Sequence, residues 1–255
     1  MVDNIKNILS KFTPTTLGEM DTIKLMDRRD TKYIFTLAEL PRFLHQLTDD
    51  YRVLDVEGNR ISRYESLYFD TPDFEFYHKH QRGKANRYKL RYRKYVESDL
   101  VFFELKYKSN KGRTIKNRIR QEGIDDTISA KASEWLHSKK HIAPRDVEPK
   151  FKIFYSRITL VNKNFPERVT LDIDLWYRNH SQSKSFDNLV IAEVKQDKSA
   201  FSAFKKLMKK YHVRTASLSK YCLGVINLTE DIKYNNFKPV LINLKKILDG
   251  PSASA

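Results

Sequence analysis

The sequence predicts an α+β fold: an eight-stranded antiparallel β tunnel or barrel with helices packed on its outside. Three observations lead there. Eight segments of strand length lie between Lys32 and Lys195. Within several of them the charged residues keep one parity and the apolar residues the other, and side chains alternate across a strand. Apolar residues at helical spacing occur before, between and after the strands, which supplies faces to cover the apolar side of the sheet.

The elements follow in order. Met1–Phe12 is an amphipathic helix with Ile5, Ile8 and Leu9 on one side. A short strand lies around Lys32-Tyr33-Ile34-Phe35. Thr36-Leu37-Ala38-Glu39 then matches a capping box, with Leu40, Phe43, Leu44 and Leu47 at helical spacing behind it. Pro41 falls near enough to the helix start to be tolerated. The next strands are Ile61–Phe69, Arg87–Val96, Val101–Lys108 and Arg113–Arg120. Ile128, Ala132, Trp135 and Leu136 mark a helix. Phe151–Val161, Arg168–Tyr177 and Leu189–Lys195 complete the eight strands. Phe201, Phe204, Leu207, Met208 and Tyr211 give another helix, and Leu218, Cys222 and Val225 begin a third. Pro251–Ala255 is expected to be a frayed end or an expression remnant. No repeat, low-complexity tract or Pro/Gly-rich linker marks a boundary, so residues 1–255 are expected to form one domain.

The parity carries a functional meaning. Arg87, Lys89, Arg91 and Arg93 share one face of their strand, opposite Tyr88, Leu90, Tyr92 and Val96. Glu104, Lys106 and Lys108 oppose Phe103, Leu105 and Tyr107. Thr114, Lys116, Arg118 and Arg120 oppose Ile115 and Ile119. A flat sheet could simply expose such rails to water. Repeated on adjacent strands, however, the cations repel one another, and an anionic ligand would offset that repulsion. A curled sheet with this face inward suits a polyanion. The net charge of +16 agrees, although nucleic acid, nucleotide, polyphosphate and anionic lipid all satisfy it. Cys222, the only cysteine, forms no internal disulfide and sits on an apolar helix face as a structural thiol. There is no transmembrane segment and no signal-peptide apolar region, so a cytoplasmic location is expected.

Few carboxylates interrupt the cationic face. Asp172 and Asp174 are expected to share one face of Val169–Leu175, with Val169, Leu171, Ile173 and Leu175 opposite. Glu193 shares a face with Lys195, and Glu104 with Lys106. A lone carboxylate among lysines suits Mg²⁺ or Mn²⁺ on phosphates, which needs only one or two protein carboxylates, or else a cross-strand salt bridge. Other chemistries lack support. Lys111-Gly112-Arg113-Thr114 is no Gly-rich phosphate loop, and no Cys/His cluster offers a zinc site. His78 and His80 are expected in a loop at the surface. No recognised nucleic-acid module appears, so no specific nucleic-acid partner is expected.

Several stretches resemble the polyphosphate-polymerase (VTC) domain of the vacuolar transporter chaperone family, within the triphosphate tunnel metalloenzymes. They include Asp30-Thr31-Lys32-Tyr33, Tyr68-Phe69-Asp70-Thr71-Pro72, Asn86–Arg93, Phe103-Glu104-Leu105-Lys106, Lys108–Arg113, Phe154-Tyr155-Ser156-Arg157, Arg168–Asp172, Ile191–Lys195 and Ser219-Lys220-Tyr221. The resemblance runs from about Asp27 to Gly224, and its order and spacing are more specific than any one stretch. It implies a tunnel holding a triphosphate among Lys32, Arg91, Arg93, Lys106, Lys116, Arg157 and Lys220, with Lys89, Lys195 and Arg118 as further substrate contacts. Glu193 matches the family's metal-binding glutamate; Asp30, Glu104, Asp172 and Asp174 are second-tier candidates. Ser217 stands where the polymerase pattern has a second lysine. The opening pair Asp30 and Lys32 replaces the alternating glutamates of the hydrolase and cyclase branches.

The function this implies is transfer of the ATP γ-phosphoryl group to a growing polyphosphate chain, with Mn²⁺ or Mg²⁺ as cofactor. Two rivals are an inorganic triphosphatase of the same fold and a non-catalytic sensor of polyphosphate or inositol polyphosphates. The family also implies a membrane-protein partner encoded separately.

Overall fold

Alternation along the strands decides the architecture of the computed structural model, which describes residues 2–22, 28–111, 113–139, 146–197 and 201–250. Asp27, Gly112 and the Pro251–Ala255 tail fall outside the described residues. The chain begins with α1 (Val2–Ser10), β1 (Thr13–Thr15), α2 (Leu17–Thr22) and β2 (Arg28–Thr36). It continues with α3 (Leu40–His45), β3 (Tyr51–Leu54), β4 (Ser62–Asp70) and α4 (Glu75–Gln81). Then come β5 (Arg87–Tyr95), β6 (Leu100–Lys108), β7 (Thr114–Gln121) and α5 (Ala130–Ser138). The long pair β8 (Glu148–Asn162) and β9 (Glu167–Arg178) precedes β10 (Ser183–Phe186) and β11 (Leu189–Asp197). The last helices are α6 (Ala203–Lys210), α7 (Lys220–Leu228) and α8 (Lys238–Asp249).

All eight expected strands form, and they run in the order β2-β11-β9-β8-β4-β5-β6-β7. Every neighbouring pair in that path is antiparallel. The short strands β1, β3 and β10 had no signal in the sequence, being only three or four residues long. The sheet curls without closing: β2 and β7 are the two ends of the main path, β2 carrying an isolated bridge from Tyr33 to Thr215, and residues of both line one cavity.

Residues of the convex face bury the helices that the sequence placed outside. Ile5, Ile8 and Leu9 of α1, Phe43 and Leu44 of α3 and Phe204 and Met208 of α6 pack on Ile158, Leu160, Leu171 and Val190. Ala132 and Leu136 of α5 pack on Leu90, Tyr92, Phe103 and Leu105. The capping-box contact is present, with Glu39 Oε2 accepting from the Thr36 backbone N–H and hydroxyl, each at 2.9 Å.

The concave face is not polar throughout. Its continuation along β8, β9, β11 and β2 carries Phe151, Ile153, Tyr177, Leu189, Ile191 and Ile34, and α7 and α8 pack there. These two helices therefore lie inside the curl, in addition to those outside it. Gly224 marks the closeness of the approach: a Cβ there would meet Phe151 Cε2 at 2.4 Å and Tyr177 Cδ1 at 2.8 Å. His78 and His80 lie on α4, not in a loop as expected. Seven residues are too few for a periodicity signal, and buried Asp70 organises the turn by accepting from the N–H groups of Phe76 (2.9 Å) and Tyr77 (3.0 Å) and from the Tyr221 hydroxyl.

Candidate functional site

Where the concave face turns from apolar to charged, it encloses a cavity of about 420 Å³. Cross-strand register brings its walls together. On one wall Lys89 pairs with Lys106, and Lys106 with Lys116; Arg91 pairs with Glu104, and Glu104 with Arg118. On the other, Glu193 lies opposite Lys32, and Lys195 opposite Asp30. Arg93, Arg157 and Lys220 also line the cavity. The ten cations that the family resemblance pointed to are thus gathered in one place, whereas Arg87, Lys108 and Arg120 of the same rails do not line the cavity. Lys32 is fixed by a 2.9 Å hydrogen bond to the Leu218 carbonyl, and Lys89 donates to Ser219 Oγ at 2.8 Å. Because Ser219 also caps α7, that helix aligns both lysines.

Burial and the crowding of like charge act together on the lysines. Burial lowers the Lys89 pKa to about 7, aided by Lys32, Lys106 and Arg91. Burial and Lys32 also lower that of Lys106. An anion in the cavity would reverse both shifts.

The carboxylates differ in how firmly they are held. Asp172 is only 2% exposed and accepts from Arg157 Nε at 2.6 Å and Nη2 at 2.9 Å, with Lys220 Nζ on its second oxygen. Although burial opposes ionisation, Arg157 and Lys220 hold its pKa well below the usual range. Glu104 is gripped by Arg91, whose Nε and Nη2 lie 2.8 and 2.5 Å from Oε2. Burial would raise its pKa, but Arg91 and Arg93 hold it at about 2. Both carboxylates act as ion-pair partners that orient arginines. Glu193 is different: its ion pair, to Lys195 Nζ, is 3.6 Å long. Burial is again outweighed, here by Lys195, Lys32, Lys220 and Arg157, so that its pKa is about 2.

Asp174 does not share the Asp172 face. Pairing between β8 and β9 shifts register between Phe154 and Ser156, and Asp174 adopts φ 53°. This bulge turns Asp174 toward an outer pocket with Lys6, Arg63 and Ser156, and it turns Leu175 inward. A one-residue insertion of that kind leaves no mark in an alternating pattern. His80 is half-buried: its Nδ1 lies 3.2 Å from Cys222 Sγ, and burial, with Lys89 and Arg87 nearby, lowers its pKa to about 2. Cys222 is buried as expected.

Tyrosines were the missing part of the site. Tyr68 places its ring under the Arg91 guanidinium, and its hydroxyl oxygen accepts from Arg91 Nη1 at 2.6 Å. Tyr64 and Tyr155 stack 5.0 Å apart under the Arg157 guanidinium. Their inward parity was available in the sequence, but aromatic residues on a strand signal core as readily as site.

Among the described residues, no group of three His, Cys, Asp or Glu side chains could hold a metal alone. A divalent cation here would need oxygens from a bound phosphate, which is common for Mg²⁺. An ionised Glu193 without an arginine clamp fits that requirement.

The architecture is an open antiparallel curl around a basic cavity. The VTC domain profile matches residues 27–229, and the chain belongs to that family. Among solved structures it is similar to an adenylyl-cyclase candidate from Hippeastrum with a dominant triphosphatase activity. That match has 13% identity and a TM-score of 0.50, covering 81% of this chain and 98% of the other. An adenylate cyclase candidate from Bacillus halodurans matches at 15% identity and TM-score 0.46, covering 76% and 96%. One from Vibrio parahaemolyticus matches at 13% and 0.45, covering 78% and 99%. No curated protein matches the chain in sequence. No helix among the described residues is long and apolar enough to cross a membrane.

Proposed function

We propose that the chain is one tunnel domain that transfers the γ-phosphoryl group of ATP to the end of a polyphosphate chain. The observation that carries this reading is the cavity itself: ten Lys and Arg side chains line it with the carboxylates Asp30, Glu104 and Glu193, and half-buried Glu193 is held by a long ion pair to Lys195 and not by an arginine clamp. Phosphoryl transfer depends on positioning and charge neutralisation more than on a covalent residue. Arg91 and Arg157, oriented by Glu104 and Asp172, would align the triphosphate. The acceptor is a terminal phosphate oxygen, ionised near neutral pH without help from a base. Its new bond to the γ-phosphorus forms as the bond to the β-bridging oxygen breaks, and ADP leaves. A divalent cation, Mn²⁺ or Mg²⁺, held by Glu193 and phosphate oxygens, would offset charge on the triphosphate.

Hydrolysis needs a base to activate water. Glu104 and Asp172, the available candidates, are each committed to arginine and held strongly acidic. This favours transfer to phosphate over transfer to water. We further propose a cytoplasmic site of action beside a separately encoded membrane protein. The test is incubation of the pure protein with ATP and Mn²⁺ or Mg²⁺, with products resolved by size. ADP plus an acid-labile polymer is expected. Orthophosphate without polymer at any time would establish the hydrolase instead, and tight binding without turnover the sensor.

A further inference from the structure

Four consecutive residues join the walls of the cavity. The Leu218 carbonyl accepts from Lys32 at 2.9 Å, and Ser219 Oγ accepts from Lys89 at 2.8 Å. Lys220 donates to Asp172, and the Tyr221 ring stacks on Tyr68 with centroids 5.2 Å apart. Tyr68 in turn accepts from Arg91. The start of α7 is therefore a node, and displacing it disturbs contacts to Lys32, Lys89, Asp172 and Tyr68 together. Three of the four contacts run through lysine side chains, whose flexible stems follow the node and cannot fix it.

The Tyr221 hydroxyl is the rigid tie. It donates to Asp70, which is 0% exposed and does not line the cavity. Asp70 ends β4 and also accepts from the backbone N–H groups of Thr71 at 2.8 Å, Phe76 at 2.9 Å and Tyr77 at 3.0 Å. One buried carboxylate thus joins β4, α4 and α7, and each of its four donors is held by backbone or by a packed ring. The next residue of α7 touches α4 as well, where Cys222 Sγ lies 3.2 Å from His80 Nδ1. We infer that Asp70 is a positioning residue of the site: it touches no substrate, and through the Tyr221 hydroxyl it sets where α7 presents Leu218, Ser219 and Lys220. This rests on reading the cavity as a triphosphate site, and it adds a residue outside the cavity on which phosphate affinity depends.

The test titrates inorganic triphosphate by calorimetry into the wild type, Tyr221→Phe, Lys220→Ala and the double variant. Tyr221→Phe keeps the ring and removes only the tie to Asp70. It is expected to weaken triphosphate binding by about tenfold, because small displacements of aligning groups are costly. The two single losses are expected to combine to less than their product in the double variant, since the tie acts through the turn that carries Lys220. Hydrogen exchange gives a readout that needs no variant. On triphosphate binding to the wild type, the Phe76 and Tyr77 amides, which bond Asp70 outside the cavity, are expected to slow together with the Cys222 amide of α7. Wild-type affinity in Tyr221→Phe, with only a lower melting temperature, would make Asp70 purely structural and overturn the inference. Losses that multiply in full, or α4 amides whose exchange ignores the ligand, would overturn it too, and each leaves the triphosphate site intact. Failure of the wild type to bind triphosphate would overturn the site and the inference together.

Discussion

Two regions of the same concave surface behave differently. β8 presents Phe151, Ile153, Tyr155 and Arg157 inward, and β11 presents Leu189, Ile191, Glu193 and Lys195. Along each strand the backbone and the parity stay constant while the chemistry switches midway. On the apolar side α7 lies directly on the sheet, as Gly224 shows. On the charged side only the first residues of α7 reach over the sheet, and a cavity remains. The lesson is that parity chooses which face a residue joins, while the residue type along that face chooses between packing and a site. Hydrophobic burial draws a helix down; mutual repulsion among lysines and arginines keeps the adjoining space open.

The comparison can be broken first at Glu193. Glu193→Gln keeps shape and removes charge, so metal-dependent turnover is expected to fall by about 10²–10³-fold with an unchanged melting temperature. Wild-type turnover in that variant would remove Glu193 from the metal site and make its contact with Lys195 an ordinary ion pair.

Asp172 tests the boundary between the regions. Asp172→Ala leaves Arg157 and Lys220 as buried, unbalanced cations, and a loss of roughly 3–5 kcal/mol in urea denaturation is expected. Added triphosphate should then stabilise the variant more than the wild type, because the ligand replaces the missing anion. A ligand effect equal in both proteins would mean that Arg157 and Lys220 do not face the bound phosphate.

The packed side is tested by Gly224→Ala. A methyl group forced against Phe151 and Tyr177 should cost about 1–3 kcal/mol, with the charged wall unaffected. A neutral result would show that α7 can lift away from the sheet.

The last effect concerns pH. Burial and neighbouring cations hold Lys89 at about 7, so it loses its proton above neutral pH in the empty protein. A polyanion restores that proton. Triphosphate binding should therefore take up a proton at alkaline pH, detectable by calorimetry in two buffers. Affinity should fall by up to about fiftyfold as pH rises from about 7 to about 9. Stability of the empty protein runs the other way: it rises with pH across this window, until the lysine of the unfolded chain deprotonates near about 10.4. Lys89→Met should flatten both profiles. If its profiles matched the wild type, another group would control them.

What the sequence determined by itself was the face of each residue along the unbulged strands. Eight strands, their inward cations and the outer apolar packing all follow from a period of two, which is local and written into the order of residues. The capping box at Thr36 and Glu39 and the burial of Cys222 were legible from equally local patterns, a four-residue motif and a helical spacing. Tertiary structure decided the rest. The bulge that turns Asp174 outward needs β8 beside β9 before it has meaning. The burial of His80 and the depressed pKa of Lys89 need α7 pressed into the curl, a contact joining residues more than a hundred positions apart. Which carboxylate is clamped and which stays available depends on cross-strand distances: Arg157 reaches Asp172, Arg91 reaches Glu104, and no arginine grips Glu193 in the same way. Alternation is a property of the chain, but electrostatic pairing is a property of distance, and distance exists only once the sheet has curled.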